Sequence, residues 1–193
     1  DLAEDFVVYL LNWALTQCRS DLAFFDARIK PGLIAMLENV VHSKFTRITY
    51  TQAIAELEKK PDSFEFKPYW GCDLQSEHEK SLTEQVFKGP VIVTDYPKQI
   101  KAFYMKQNDD RKTVRAMDVL VPGLGEIIGG SQREENLAAL ESRMSELGLD
   151  PKTYWWYLDL RRYGTAPHSG FGLGFERLLL YVTGMTNIRD VIP

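Results

Sequence analysis

The sequence predicts an α+β domain in which helices come first, an antiparallel sheet follows, and further helices flank it. Three observations carry this. Residues 1–60 place apolar side chains at helical spacing. From Pro90 to Gln132 the chain breaks into short β-branched segments separated by turn residues. Gly170-Phe-Gly172-Leu-Gly174 then alternates glycine with apolar residues, as a strand with one bare face would.

Leu2, Phe6, Leu10, Trp13, Ala14 and Gln17 share a helical stripe, so residues 2–18 form an amphipathic helix. Pro31 suits the first position of a second helix running to about Val41. Phe45 to Tyr50 alternates as a strand, and Thr51 reads as the N-cap of a helix to Lys59. Ser76-Glu77-His78-Glu79 has the capping-box form and opens a helix to about Phe87. Strands follow at 90–95 and 102–106, then a turn at Asn108-Asp-Asp. Thr113–Val121 and Glu126–Gln132 form an antiparallel pair around Pro122-Gly-Leu-Gly125. A helix runs from Glu134 to about Leu147 and stops at Gly148; Asp150-Pro151 opens another to about Arg162. In the glycine strand Phe171, Leu173 and Phe175 face the core. The helix through Leu178–Val182 ends at Gly184.

At 193 residues the chain is long enough for one domain with a real core. Its 45% hydrophobic and 26% charged residues are ordinary for a globular protein. The richest apolar run, Phe6 to Leu15, is too short for the roughly 18 residues a membrane span needs. A net charge of −4 argues against indiscriminate polyanion binding without excluding a local basic surface. Cys18 and Cys72 have neither metal nor disulfide spacing, which points to reduced thiols in the cytoplasm, and His42, His78 and His168 are scattered.

Two groupings suggest chemistry. Gly170, Gly172 and Gly174 leave bare patches on one strand face, where a flat ring such as a purine could lie. Arg177 falls in the first turn of the next helix, where the dipole disfavours a cation, so an anionic partner is expected. A dinucleotide fingerprint is excluded, because its third glycine would fall at Phe175 and no acidic residue follows at the needed distance. A tightly packed strand beside a surface arginine is the plainer alternative. Asp118 and Glu126 flank the hairpin turn on adjacent strands. Two carboxylates in an apolar hairpin are costly unless a cation lies between them, and Mg²⁺ favours one or two carboxylates plus phosphate oxygens. Two solvated carboxylates remain the bland reading.

With His168 just upstream, Gly170–Arg177 resembles motif 3 of class II aminoacyl-tRNA synthetases. Val93-Thr-Asp-Tyr-Pro97-Lys, Ala102-Phe-Tyr-Met, Ala116-Met-Asp118-Val, Gly125-Glu126-Ile-Ile-Gly129-Gly-Ser131-Gln-Arg133-Glu and Tyr154-Trp-Trp-Tyr157 are similar, in order, to segments of the aspartyl/asparaginyl/lysyl subgroup. The Gly125–Glu134 string most resembles the asparaginyl enzymes. The resemblance covers the whole chain and implies an antiparallel sheet with the active site on one face. Residues 1–60 would be a mostly helical insertion between motifs 2 and 3, and residues 61–193 the active-site sheet with motif 3. It implies ATP-dependent conversion of asparagine to asparaginyl-adenylate and transfer to tRNA(Asn), by a cytoplasmic homodimer.

Residue by residue, the resemblance makes Glu126 and Asp118 the holders of ATP-bound Mg²⁺. Arg133, with Gly129 and Gly130, reads the amino-acid side chain. Arg177 stacks on adenine and reaches the γ-phosphate, and Gly172 and Gly174 form the floor under the adenosine. Glu126 and Arg133 are seven apart, so a regular strand would point them to opposite faces; sharing one site requires a bulge, expected at Gly129-Gly130. Glu176 favours the helix N-terminus electrostatically. His168 lies by the site or merely in a loop. Trp155, Trp156 and Tyr157 read as core, and Arg161 and Arg162 as complements to a helix dipole. Lys98 and Lys101 read as surface residues or as contacts to pyrophosphate or tRNA; Glu77 and His78 allow a minor nucleotide contact. Motif 1, motif 2 and the anticodon-binding barrel have no counterpart, and the chain stops at Pro193 where the family continues. The expectation is a C-terminal part of a catalytic domain, inactive alone. An aspartyl enzyme, a paralogue making free asparagine and a non-catalytic synthetase-like module stay open.

Overall fold

The computed structural model describes residues 1–192. Among them, five strands form one sheet in the order β1-β2-β3-β4-β5: Thr46–Thr49, Val91–Pro97, Thr113–Val121, Gly125–Gln132 and Ser169–Leu173. The pairs β2–β3, β3–β4 and β4–β5 are antiparallel, as expected. β1 lies parallel to β2, so the sheet is mixed rather than purely antiparallel. A parallel neighbour needs a crossover, and the helices between residues 50 and 86 supply it.

Helices cover both faces. On one, α1 (Leu2–Gln17) and α3 (Leu33–His42) bury Val7, Leu11, Leu33, Leu37 and Val40 against Ile92, Val119, Val121, Ile127 and Ile128. On the other, α4 (Tyr50–Leu57) buries Tyr50, Ile54 and Leu57 against Val91, Val93, Tyr96 and Leu120. Residues 1–60 are helical as expected, and they also provide an edge strand and part of both cores. A third cluster joins Leu140 and Met144 of α6 (Leu137–Glu146) to Leu158 of α7 (Trp155–Arg162). None of the helices among the described residues is long and apolar enough to cross a membrane.

Several boundaries differ from expectation for identifiable reasons. An additional helix, α2 (Arg19–Arg28), precedes Pro31. Pro31 does not open α3, because Gly32 turns the chain through φ +86° and Asp26 caps the helix by accepting the Ile34 N–H at 2.9 Å. Thr49, not Thr51, caps α4, reciprocally with Gln52. Gln75, not Ser76, caps α5 (Ser76–Lys80) by pairing with His78. That helix continues as π-wound Ser81–Val86.

Residues 102–106 are not a strand. Met105 makes an isolated bridge to Arg133, while Phe103 and Tyr104 turn into the third apolar cluster. α6 starts only at Leu137, with Asn136 as its cap, and residues 151–154 are turns ahead of α7. The glycine strand ends at Leu173. Gly174 is already the N-cap of α8 (Phe175–Thr183), which leaves Phe175 64% exposed rather than facing the core. Gly184 ends α8 in the left-handed conformation, φ +70°, as expected.

Candidate active site

The site is built on β4. Val119 pairs with Ile128 and Leu120 with Glu126, so Ile127 is an extra residue in the ladder. Ile127 and Ile128 are both buried in the same core, which adjacent residues of a regular strand cannot be. The bulge therefore exists, and two neighbouring apolar β-branched residues set its place at Ile127 rather than at Gly129-Gly130. It resets the alternation so that Glu126, Gly129, Ser131 and Arg133 share one face.

Cross-strand pairing extends that face. Asp118 of β3, Gly129 of β4 and Gly172 of β5 are direct neighbours, and Ala116, Ser131 and Gly170 form the next row. A methyl group on Gly129 would stand 2.8 Å from Glu126 Oε1 and 3.5 Å from Asp118 Oδ1. Both carboxylates thus converge over this glycine. A methyl group on Gly172 would meet nothing within 4 Å, so that position is an open shelf. Gly130 falls on the opposite face: its added methyl would lie 2.7 Å from Phe171 Cβ and 2.9 Å from the Gly170 carbonyl. The close packing of β5, and not the shared face, occupies Gly130.

Positive groups stand at both ends of the face. Arg177 folds back over Gly174, whose added methyl would touch its Cδ at 3.2 Å, and its Nε donates to the Glu126 carbonyl at 2.5 Å. Its hydrogen-bond partner is a neutral carbonyl on β4 rather than the expected anion, while the Glu126 and Glu79 carboxylates lie in electrostatic reach. Lys101 donates to Asp118 Oδ2 at 2.6 Å and sits 4.0 Å from the Tyr96 ring centroid. At the far end, Arg133 donates to Ser131 Oγ at 2.7 Å and to the Gly170 carbonyl at 3.3 Å, with its guanidinium over the Tyr104 ring. From Gly129 to Arg133 is about 13 Å of strand. The face offers two cationic anchors, separated by small residues, to an elongated anionic ligand.

A third acid, Glu79 of α5, belongs here. Its Oε2 accepts the Glu126 N–H at 3.1 Å. Burial pushes its pKa up to about 7 from the ordinary 4.5, with the charges of Glu126 and Asp118 adding to the rise. Burial, then the Asp118 charge, also raises Glu126. Glu79 was not legible as a site residue, because its contact joins residues 47 apart in a segment that reads as a helix cap. Between pH 4.5 and about 7 the folded chain holds a proton on Glu79 that the unfolded chain has released. This contribution to stability is full below pH 4.5 and is lost as pH rises through about 7. In EDTA, Glu79→Gln is expected to flatten the fall in melting temperature between pH 5 and 8, as thermal scans across that range would read.

The remaining candidates have structural partners. Glu77 accepts the Glu65 and Phe66 N–H groups, and buried His78 bonds the Phe66 carbonyl at 2.7 Å. Lys98 pairs with Glu146. The His168 ring bonds the Ala166 carbonyl, while its own carbonyl accepts the Arg133 N–H. Glu176 lies in the first turn of α8. Trp155 and Trp156 are 61% and 53% exposed rather than core, since α7 turns Leu158 and Arg161 inward instead. Arg161 stands in the last turn of α7, as expected, and is buried there, donating to the Glu134 carbonyl at 2.9 Å and lying over the Tyr157 ring. Arg162 pairs with Asp159 and Glu141.

The donor set suits a hard cation. Two carboxylates converge, burial and then like-charge crowding raise Glu126, and one unit of positive charge comes from Lys101. A divalent ion would complete its shell with water and phosphate oxygens.

Asparagine–tRNA ligase of Treponema denticola is 77% identical over all 193 residues, and that of Clostridium botulinum 60%. The chain spans 41% and 42% of the length of these relatives. Asparaginyl-tRNA synthetase from Pyrococcus horikoshii, solved in complex with asparaginyl-adenylate, superposes with a TM-score of 0.87 at 44% identity, covering 99% of this chain and 42% of that one. An aspartyl-tRNA synthetase from Entamoeba histolytica reaches 0.68 at 28% identity, over 89% of this chain and 36% of that one. Residues 1–193 match, end to end, the family of tRNA synthetases class II (D, K and N), and the chain belongs to that family.

Proposed function

We propose that the full-length protein activates asparagine with ATP to form asparaginyl-adenylate and transfers asparagine to tRNA(Asn). The single observation that carries this is the shared face on which Asp118 and Glu126 converge beside Arg177, with Arg133 at the other end. In adenylate formation the amino-acid carboxylate attacks the α-phosphate and pyrophosphate leaves. The protein must hold two anions together and offset the phosphate charge. Arg177 offers a planar, permanently charged group beside the Gly172 shelf, where adenine and the γ-phosphate would lie. Arg133, already oriented by Ser131 and Tyr104, presents guanidinium donors to the amide oxygen of asparagine. Asp118 and Glu126 would hold Mg²⁺, which when bound neutralises phosphate charge.

On this reading the full-length protein is a cytoplasmic homodimer, and residues outside this chain complete the α-phosphate and ammonium contacts. Asparagine is favoured over aspartate by the higher identity to asparagine–tRNA ligases. A guanidinium alone would accept either side chain. ATP–pyrophosphate exchange on the full-length protein, with asparagine and aspartate supplied separately, decides the matter. Exchange with asparagine alone is expected. Exchange with aspartate would reassign the protein to the aspartyl enzymes or to a paralogue making free asparagine.

A further inference from the structure

The helix that carries Glu79 also carries Glu84, and both acids hold the backbone of the β3–β4 hairpin. Glu84 Oε1 accepts the Gly123 N–H at 2.9 Å, and Glu79 Oε2 accepts the Glu126 N–H at 3.1 Å. In a regular α-helix, residues five apart point about 140° away from each other. Here the chain is π-wound over Ser81–Val86, with the Phe87 N–H bonding the Leu82 carbonyl five residues back. The wider turn brings Glu84 round toward the side that Glu79 occupies. π-Segments are rare and occur frequently at functional sites.

The two contacts bracket the turn. Gly123 lies inside it at φ +83°, and Glu126 lies just past it, immediately before the bulge residue Ile127. Glu79 also fills the space over Gly125, where its Oε2 leaves no room for an added methyl. The Glu126 backbone is therefore gripped from two sides: Glu79 accepts its N–H and Arg177 donates to its carbonyl. Glu126 pairs with Leu120 immediately before the extra residue Ile127, and these two contacts hold the backbone from which its carboxylate projects.

We infer that Glu79 and Glu84 form a two-point clamp that positions Glu126 toward the ATP-bound cation, with Glu79 the principal hold. The inference rests on the proposed role of Glu126. Its test uses full-length protein and reads the KM for ATP, the Mg²⁺ concentration at half-maximal exchange and the KM for asparagine. Glu79→Ala is expected to raise the first two roughly tenfold and leave the third within about twofold; an interaction this size matches loss of one hydrogen bond. Glu79→Gln keeps an acceptor oxygen and is expected to restore most of the loss. Glu84→Ala, at an exposed position and so tolerant in folding, is expected to shift the same two parameters two- to fivefold.

Unchanged ATP and Mg²⁺ parameters in both alanine variants would overturn the clamp. So would an equal rise in all three parameters, the mark of general damage, or a Glu79→Gln variant as impaired as Glu79→Ala, which would make charge the operative property. Glu126→Ala is the control that separates the two readings. If it leaves the Mg²⁺ dependence unchanged, the assignment of Glu126 itself fails; if it abolishes that dependence while the clamp variants do not respond, only the clamp fails.

Discussion

Arg177→Ala in the full-length protein is expected to lower asparagine-dependent ATP–pyrophosphate exchange by about 10²–10³-fold, the usual cost of removing one preorganised donor to developing charge. The structure explains the size of the effect. The Arg177 side chain lies back over Gly174 and is held by the Glu126 carbonyl, so its charge is oriented before any ligand arrives. No reorganisation is needed when the phosphates bind. Arg177→Lys is expected to recover at most about tenfold, since a point charge cannot both stack on a ring and keep the same carbonyl contact. Arg177 is only half-buried, so the melting temperature should change little. Exchange at the parental rate in Arg177→Ala would remove this arginine from the site.

Gly130→Ala and Gly129→Ala should fail in different ways, although they are neighbours. On Gly130 the new methyl would press on Phe171 Cβ and on the Gly170 carbonyl, both part of β5 or its root, and backbone cannot move aside cheaply. The expected result is a loss of about 1–3 kcal/mol of stability, as for other overpacked sites, read as a lower denaturant midpoint. On Gly129 the obstacle is the tip of the Glu126 carboxylate, which can swing away at small cost to folding. Gly129→Ala should therefore fold with near-parental stability and need more ATP and Mg²⁺ for half-maximal exchange. Equal destabilisation of both variants would contradict the face assignment. The resemblance placed both glycines at the amino acid; the alternation of the strand separates them.

Much of the fold was legible. Thr113–Val121 and Gly125–Gln132 appear where β-branched runs flank a proline-glycine turn, and the helix after the glycine strand stops at Gly184. These features depend on residues near one another in sequence. What was misplaced depended on contacts between distant segments. The strand expected at 102–106 failed because Phe103 packs against Tyr104, Tyr154 and Tyr157, which draws the segment out of the sheet. Trp155 and Trp156 have helical spacing and large apolar surfaces, yet α7 meets the rest of the chain through Leu158 and the buried guanidinium of Arg161.

For the site, the sequence by itself determined which side chains are candidates for the chemistry. Asp118, Glu126, Arg133, Arg177 and the glycines of β5 were identifiable from residue type, spacing and resemblance, and the parity of Glu126 and Arg133 demanded a bulge. Only the tertiary structure decided where that bulge lies, since this turned on Ile127 and Ile128 both being buried under α1 and α3. It alone also brought Glu79 to the Glu126 amide and Lys101 to Asp118. The physical reason is one of range. Alternation, caps and turns are set by the covalent chain over a few residues, whereas the burial that raises a carboxylate's pKa and the partners that aim it come from segments that meet only when the cores on both faces of the sheet close.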